Sequence, residues 1–201
     1  MCGIVGFWDF KNQLKPYESL RILNKMTDSL AHRGPDSYGL WHDAVSGLYL
    51  GHTRLAIVDL SPMGHQPMVS ATENAVLTYN GEIYNALELK EALIELGYVF
   101  KGHSDTEVIL AACQAWGVKN AVQKFIGMFA FAYWDAGVQN LFLVRDRMGI
   151  KPLYYGLHQG ILFFSSELKT LHQHPKFLKV INQKAAYGFF QYGYVPQPDS
   201  I

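Results

Sequence analysis

Charge is scarce in this chain. Its 17 basic and 17 acidic residues make up 17% of 201 positions and cancel to a formal net charge of zero. Soluble domains ordinarily carry about 25% charged residues, so part of this surface is expected to lie against another domain. Without a clustered cationic excess, a nucleic-acid footprint is excluded. Disorder is excluded as well, because 49% of the residues are hydrophobic and charge runs are missing. The longest apolar run, 125–134, has ten residues where a membrane span needs ~20. Residues 2–10 carry neither a cationic start nor a long apolar core, so no secretory signal is read there. Two cysteines, Cys2 and Cys113, cannot build a disulfide framework; the expected compartment is a reducing cytoplasm. Repeats, low-complexity segments and phosphate-cradling glycine loops are absent. The length predicts one main domain, able to bury roughly 70% of its unfolded surface.

What is present reads as strands in adjacent antiparallel groups and helices in separate groups, an α+β pattern. Residues 1–8 suit a buried strand. Pro16 opens a helix with Leu20, Leu23, Met26 and Leu30 on one face. His32-Arg33-Gly34-Pro35-Asp36 is a loop. Residues 38–42 and 48–55 read as strands, and Ala75–Tyr79 as another that ends at Asn80-Gly81. Helices are expected over Leu87–Leu96 and Thr106–Trp116, closed by Gly97 and Gly117, the second opened by the capping box Ser104-x-x-Glu107. Strands follow over 128–134, 141–144, 153–157 and 161–164, then short helices over Glu167–His172 and Gln183–Phe190. Cys113 lies in an apolar helical run and reads as core. His172-Gln173-His174 lacks a ligand partner at metal spacing, so no metal site is expected and the pair reads as solvated.

Four places could carry chemistry. Once Met1 is removed, Cys2 combines a thiol with a free α-amine, whose pKa near ~7.7–8.0 leaves a useful fraction unprotonated at neutral pH. Nucleophile and base then share one residue; the alternative is a small strand residue. The Asn80 amide and the Gly81 N–H could hold an oxyanion, or Asn-Gly could be a hairpin turn. Arg54, at the end of an apolar strand, suits bidentate capture of a carboxylate, or an internal ion pair with Asp36 or Asp146. Asp105, in the first turn of a helix whose dipole favours the ionised form, could receive an ammonium, or simply serve the helix start.

In this order, Met1-Cys2-Gly3-Ile4, residues 32–36, Arg54-Leu55-Ala56-Ile57-Val58-Asp59, residues 79–85, residues 104–107 and Arg145–Tyr155 resemble the class II glutamine amidotransferase domain, an N-terminal-nucleophile hydrolase. More narrowly they resemble the glutaminase half of asparagine synthetases. The resemblance implies a four-layer αββα sandwich of two stacked antiparallel sheets. It implies Cys2 as nucleophile, Asn80 with Gly81 as oxyanion hole, and glutamine held by Arg54, Glu82 and Asp105 with the backbone of Leu55, Ile57 and Val58. It implies a glutaminase domain over 1–190 and, from 191–201, a linker toward a C-terminal synthetase domain. No cofactor is implied in the first domain; ATP and Mg belong to the second, with aspartate as the expected acceptor. Another carboxylic-acid acceptor, such as a sugar acid, or a non-catalytic glutamine-binding module are the alternatives, and a homodimer is left open.

Overall fold

The computed structural model describes residues 1–57 and 59–196. Val58 and the last part of the expected linker, 197–201, lie outside the described residues. The chain runs β1 (Gly3–Asp9), α1 (Pro16–Asp28), β2 (Ser37–Asp43), β3 (Leu48–Arg54), a 3-10 turn at Pro62–Gly64, β4 (Met68–Val69), β5 (Ala75–Ile83), α2 (Ala86–Glu95), α3 (Asp105–Trp116), α4 (Val118–Lys124), β6 (Gly127–Asp135), β7 (Asn140–Arg145), β8 (Tyr154–His158), β9 (Ile161–Ser165), α5 (Leu168–Leu171) and α6 (Gln183–Tyr192). One sheet has the order β2-β3-β1-β9-β8 and the other β4-β5-β6-β7. All pairings within them are antiparallel.

Strand side chains point alternately to opposite faces, and both sheets are apolar on both. On the outer face of the first sheet, Phe7 and Phe163 pack with Leu23 and Met26 of α1 and with Leu171 of α5. Between the sheets lie Leu48, Leu50, Val76, Ala132, Trp134 and Phe164. On the outer face of the second sheet, Leu77, Tyr79 and Phe131 meet Leu93 of α2 and Ile109 and Cys113 of α3. The order helix, sheet, sheet, helix is the four-layer αββα arrangement. Fully burying side chains of this size stabilises the fold by roughly 1.5–3 kcal/mol each, which makes the seam around Trp134 and Phe164 the natural centre of the core.

Several local expectations need correction. Asn80-Gly81 neither ends β5 nor turns it, because the ladder with β6 continues through Asn80↔Ala130 and Gly81↔Phe129 to Ile83↔Gly127. The capping box is half formed: Ser104 Oγ accepts from Glu107 N at 3.4 Å, while the Glu107 carboxylate takes the N–H groups of Lys101 and Gly102 instead. Beyond Gly117 (φ +73°) the chain enters α4, whose short apolar face, Val118 and Ala121, is too brief to show as a period. His174 is fully buried, edge-on to Phe7 and Phe163 at 4.7 and 4.8 Å. The turn after α5 folds it back under the first sheet, and burial holds it neutral, with a pKa lowered to about 4.

At the other end of the chain, α6 closes on Gly193 in the left-handed conformation and buries Ala185 while Tyr187, Phe190 and Tyr192 stand exposed. No helix among the described residues is long and apolar enough to cross a membrane.

Candidate active site

Cys2 sits just before β1. Because Gly3 pairs with Thr53, the residue ahead of β1 falls beside the residue leaving β3, and Cys2 meets the Leu55 backbone. Leu55 N–H donates to Cys2 Sγ at 3.4 Å, and the thiol faces the Leu55 carbonyl at 3.6 Å. The Cys2 carbonyl accepts from Arg33 Nε at 3.0 Å. Arg33 in turn donates from Nη1 to Glu167 at 3.1 Å, and Glu167 also meets His32 at 2.8 Å and Lys169 at 3.1 Å. Burial alone would raise the Glu167 carboxyl; the bonds from His32, Arg33 and Lys169 outweigh it and hold the pKa at about 2.

Facing Cys2 across a cavity of about 200 Å³ is the end of β5. Here Tyr79 is bonded at each of its polar groups. Its N–H donates to Gln66 Oε1 at 2.6 Å, its carbonyl accepts from His52 Nε2 at 3.0 Å, and its hydroxyl donates to Asp105 at 2.6 Å. His52 is wholly buried, and burial lowers its pKa to about 3, so the neutral ring donates to Tyr79 through Nε2. With Tyr79 pinned, the next residue has little freedom. Asn80 is 2% exposed, and its side-chain Nδ2 is buried without a hydrogen-bond acceptor among the described residues. Such an orphan costs about 1–3 kcal/mol. At Gly81, any Cβ would run into the Met128 carbonyl and approach Phe129 Cα at 2.7 Å, so the ladder admits only glycine there. Asp105 accepts from Tyr79 and from Ile83 N–H at 2.9 Å. The expectation that the helix start keeps Asp105 ionised meets an opposing effect: burial pushes its carboxyl up, against the pull of those two bonds.

The third wall is the loop 55–64. Arg54 holds it, donating from Nη1 to the Ser61 carbonyl at 2.9 Å and from Nη2 to the Asp59 carbonyl. Neither expected acid pairs with Arg54. Asp36 accepts from Ala56 N–H, and Asp146 takes the N–H groups of Phe129, Ile150 and Lys151. Asp59 accepts from Ser61 and His103 backbone N–H at 2.7 and 3.1 Å; the Ser61 side chain first, and then these bonds, hold its carboxyl below its usual range. Ile57 is exposed on this loop and Glu82 on the rim of β5.

Cys2, Arg54, Leu55, Ile57, Asn80, Gly81, Glu82 and Asp105 therefore line one cavity; Val58 lies outside the described residues. A thiol across from an unpaired amide donor, with a carboxylate and a guanidinium at the sides, can bind a small zwitterion and stabilise an oxyanion. Over residues 1–201 the sequence matches the glutamine amidotransferase domain. The chain belongs to that family.

Among proteins similar to this amidotransferase domain, asparagine synthetase [glutamine-hydrolyzing] 3 of Bacillus subtilis is 40% identical over 177 residues, 87% of this chain and 28% of that protein. Asparagine synthetase [glutamine-hydrolyzing] 1 of the same organism is 36% identical over 201 residues, the whole of this chain and 31% of that protein. The chain thus spans about a third of the length of these curated relatives. The solved glutamine phosphoribosylpyrophosphate amidotransferase of B. subtilis superposes with a TM-score of 0.70 at 23% identity, covering 85% of this chain and 43% of that one. At that identity the likeness is one of fold.

Residues that sequence reasoning left without a role also belong to the amidotransferase cavity or its support. Arg33 and Glu167 hold the Cys2 backbone, Gln66 and His52 hold Tyr79, and Lys151 reaches the cavity itself. Glu167 and His52 act from distant parts of the chain and had no local signal. Arg33 stood within a recognised motif, and only its loop position was read.

Proposed function

We propose that this domain hydrolyses glutamine to glutamate and ammonia through a thioester on Cys2. The observation that carries the reading is the buried Asn80 Nδ2, without an acceptor among the described residues, across the cavity from Cys2 Sγ. A buried donor without a partner is what an oxyanion would satisfy.

In this reading the Cys2 α-amine takes the thiol proton and the thiolate sulfur attacks the side-chain amide carbon of glutamine. The carbonyl oxygen becomes an oxyanion against Asn80 Nδ2 and the Gly81 N–H. The new α-ammonium gives its proton to the leaving nitrogen as the C–N bond breaks, and ammonia departs. Water then loses a proton to the same amine and attacks the thioester carbon; glutamate leaves and the thiol re-forms. Asp105 receives the α-ammonium of glutamine and Arg54 its α-carboxylate, with Glu82 and the backbone of Leu55, Ile57 and Val58 around it. Arg54 already spends two donors on carbonyls 59 and 61, so it orders the loop and binds substrate together.

The relatives' names and lengths support a wider proposal. Beyond a domain of about 1–190, a C-terminal synthetase domain that uses ATP and Mg consumes the ammonia, with aspartate as acceptor, in the cytoplasm. The exposed aromatics of α6 are suited to meet it.

The mechanism needs Met1 gone. With Met1 present the Cys2 nitrogen is an amide, which binds no proton near neutral pH, and Met1 itself lines the cavity. Chains verified by mass spectrometry to keep Met1 should release negligible ammonia from glutamine. Cleaved chains should be active, with a profile that rises through the α-amine pKa. Full activity in a verified Met1-bearing chain overturns the amine as base.

A further inference from the structure

The segment Arg145–Lys151 takes no part in the chemistry above, yet its bonds converge on a single residue. Asp146 Oδ2 accepts from Lys151 N–H at 3.0 Å and from Phe129 N–H at 3.2 Å, and Oδ1 accepts from Ile150 N–H at 2.9 Å. Arg145 donates from Nε to the Lys151 carbonyl at 2.7 Å and from Nη2 to the carbonyl of Gly149, whose φ is +65°. The loop is thereby locked from both sides of its backbone, and Lys151 is held 5% exposed with its side chain in the cavity.

Among the described residues its ammonium has one hydrogen-bond partner, Met1 Sδ at 3.3 Å. No carboxylate lies within ion-pair reach of it among the described residues. Lysines are almost never this buried unless paired, so the positive charge is spent on the cavity itself. The atom it touches belongs to the residue immediately ahead of Cys2.

We propose that Lys151 keeps the Cys2 α-amine uncharged once Met1 is removed, by presenting a second positive charge across the same cavity. Two cations on one partly dry cavity disfavour each other, and the group that gives up its proton more readily does so. The proposal rests on Cys2 being the nucleophile and its amine the base. Other charges face the amine. Arg54, at the end of β3, is a second cation on the same cavity, half-buried and bonded to carbonyls 59 and 61. Arg33, from the loop after α1, sits at the Cys2 carbonyl, but Glu167 compensates it. Tyr79 and Glu82 face it from β5 and Asp105 from α3. Tyr79 carries no charge at neutral pH, since burial and Asp105 raise its pKa well above the usual value, while Asp105 is tied to Tyr79 and Ile83. Glu82 is exposed, so its opposing charge is screened by solvent. Among the described cations on this cavity, Lys151 is the one that is fully buried and has no carboxylate or carbonyl partner for its side chain. It acts through Cys2, not on the substrate.

The test follows the amine directly. In the Met1-cleaved chain with 15N-labelled cysteine, the α-amine should titrate about one pH unit below its ordinary ~7.7–8.0. Lys151→Met should move that titration up by roughly one unit, and the acid limb of kcat/KM for glutamine should move with it. Activity at pH 6.5 then falls about tenfold and converges with the parent near pH 9. Lys151→Arg, which keeps the charge, should keep the parent limb. A parent amine that titrates at its ordinary value overturns the proposal without any variant. So does a Lys151→Met chain that loses activity equally at all pH values with its amine unmoved, since that is a merely structural effect. Absence of turnover in the cleaved parent would instead defeat the Cys2 reading, and the amine titration would still decide the role of Lys151.

Discussion

The two long walls of the cavity are built on opposite plans. The β5 wall is held from inside the fold: Tyr79 and Asn80 are 3% and 2% exposed, and β5 is paired with β6 along its full length. The 55–64 wall is held by polar bonds at its edge. Two of its apolar side chains, Ile57 at 74% and Leu60 at 78% exposed, face solvent. Arg54 and Asp59 supply the hydrogen bonds that core packing supplies to the other wall. The difference teaches where precision is needed. In the proposed mechanism the Asn80 donor must already be in place before charge develops, and a core strand holds it there. Under the proposed function the 55–64 wall admits the substrate, and low local packing is what permits local opening.

The largest expected effect tests the rigid wall. Asn80→Ala should lower kcat for glutamine by ~10²–10³ while KM stays within a few-fold, because the donor matters once the oxyanion forms. Stability should hold or rise, since the buried orphan amide disappears. An unchanged kcat in folded protein reduces Asn80 to a strand residue and breaks the contrast between the walls.

Next comes the loose wall. Arg54→Ala removes both carbonyl bonds and the proposed carboxylate partner, a loss of roughly 2–5 kcal/mol in binding. The KM for glutamine should rise by about 30-fold or more. The denaturation midpoint should barely move, because the loop contributes little to the core. Near-parent KM would remove Arg54 from the substrate site, and a large fall in global stability would mean that the two walls are one cooperative unit.

The smallest effect concerns the support of Cys2. Glu167 has its pKa depressed to about 2 by its hydrogen bonds, against an unfolded value near 4.5. Its stabilisation is therefore fully present above pH 4.5 and is lost as pH falls toward 2. Glu167→Gln should cost about 1–2 kcal/mol at pH 7, measured by urea unfolding, and flatten the stability profile between pH 4.5 and 2. A parallel profile in the variant would show that Arg33 is held without Glu167.

Much of this was legible in the chain. Periodicity and turn residues place every strand but the two-residue β4, and α1, α2, α3, α5 and α6, to within a few residues, since apolar runs bounded by turn signals suit buried strands. The candidate residues were legible because each broke a local rule: an arginine ending an apolar strand, a cysteine at position 2. Asn80-Gly81 was harder. Its local chemistry favours a turn, and only nine cross-strand pairs with β6 keep it extended. His174 read as solvated because nothing local announces that Phe7 and Phe163 will close over it.

By itself the sequence determined the layer types, the starts of most helices and a short set of candidate residues, each with a structural alternative, because these follow from periods and propensities over a few residues. Which of those residues share one cavity was decided by tertiary structure alone. Cys2, Asn80, Asp105 and Lys151 are brought together from both sheets, a helix start and a locked loop, at sequence separations that no local rule spans. The electrostatics were decided there as well. Whether Asp105 sits high, His52 stays neutral or Lys151 goes unpaired depends on burial and on partners far along the chain, and both exist only once the four layers have closed.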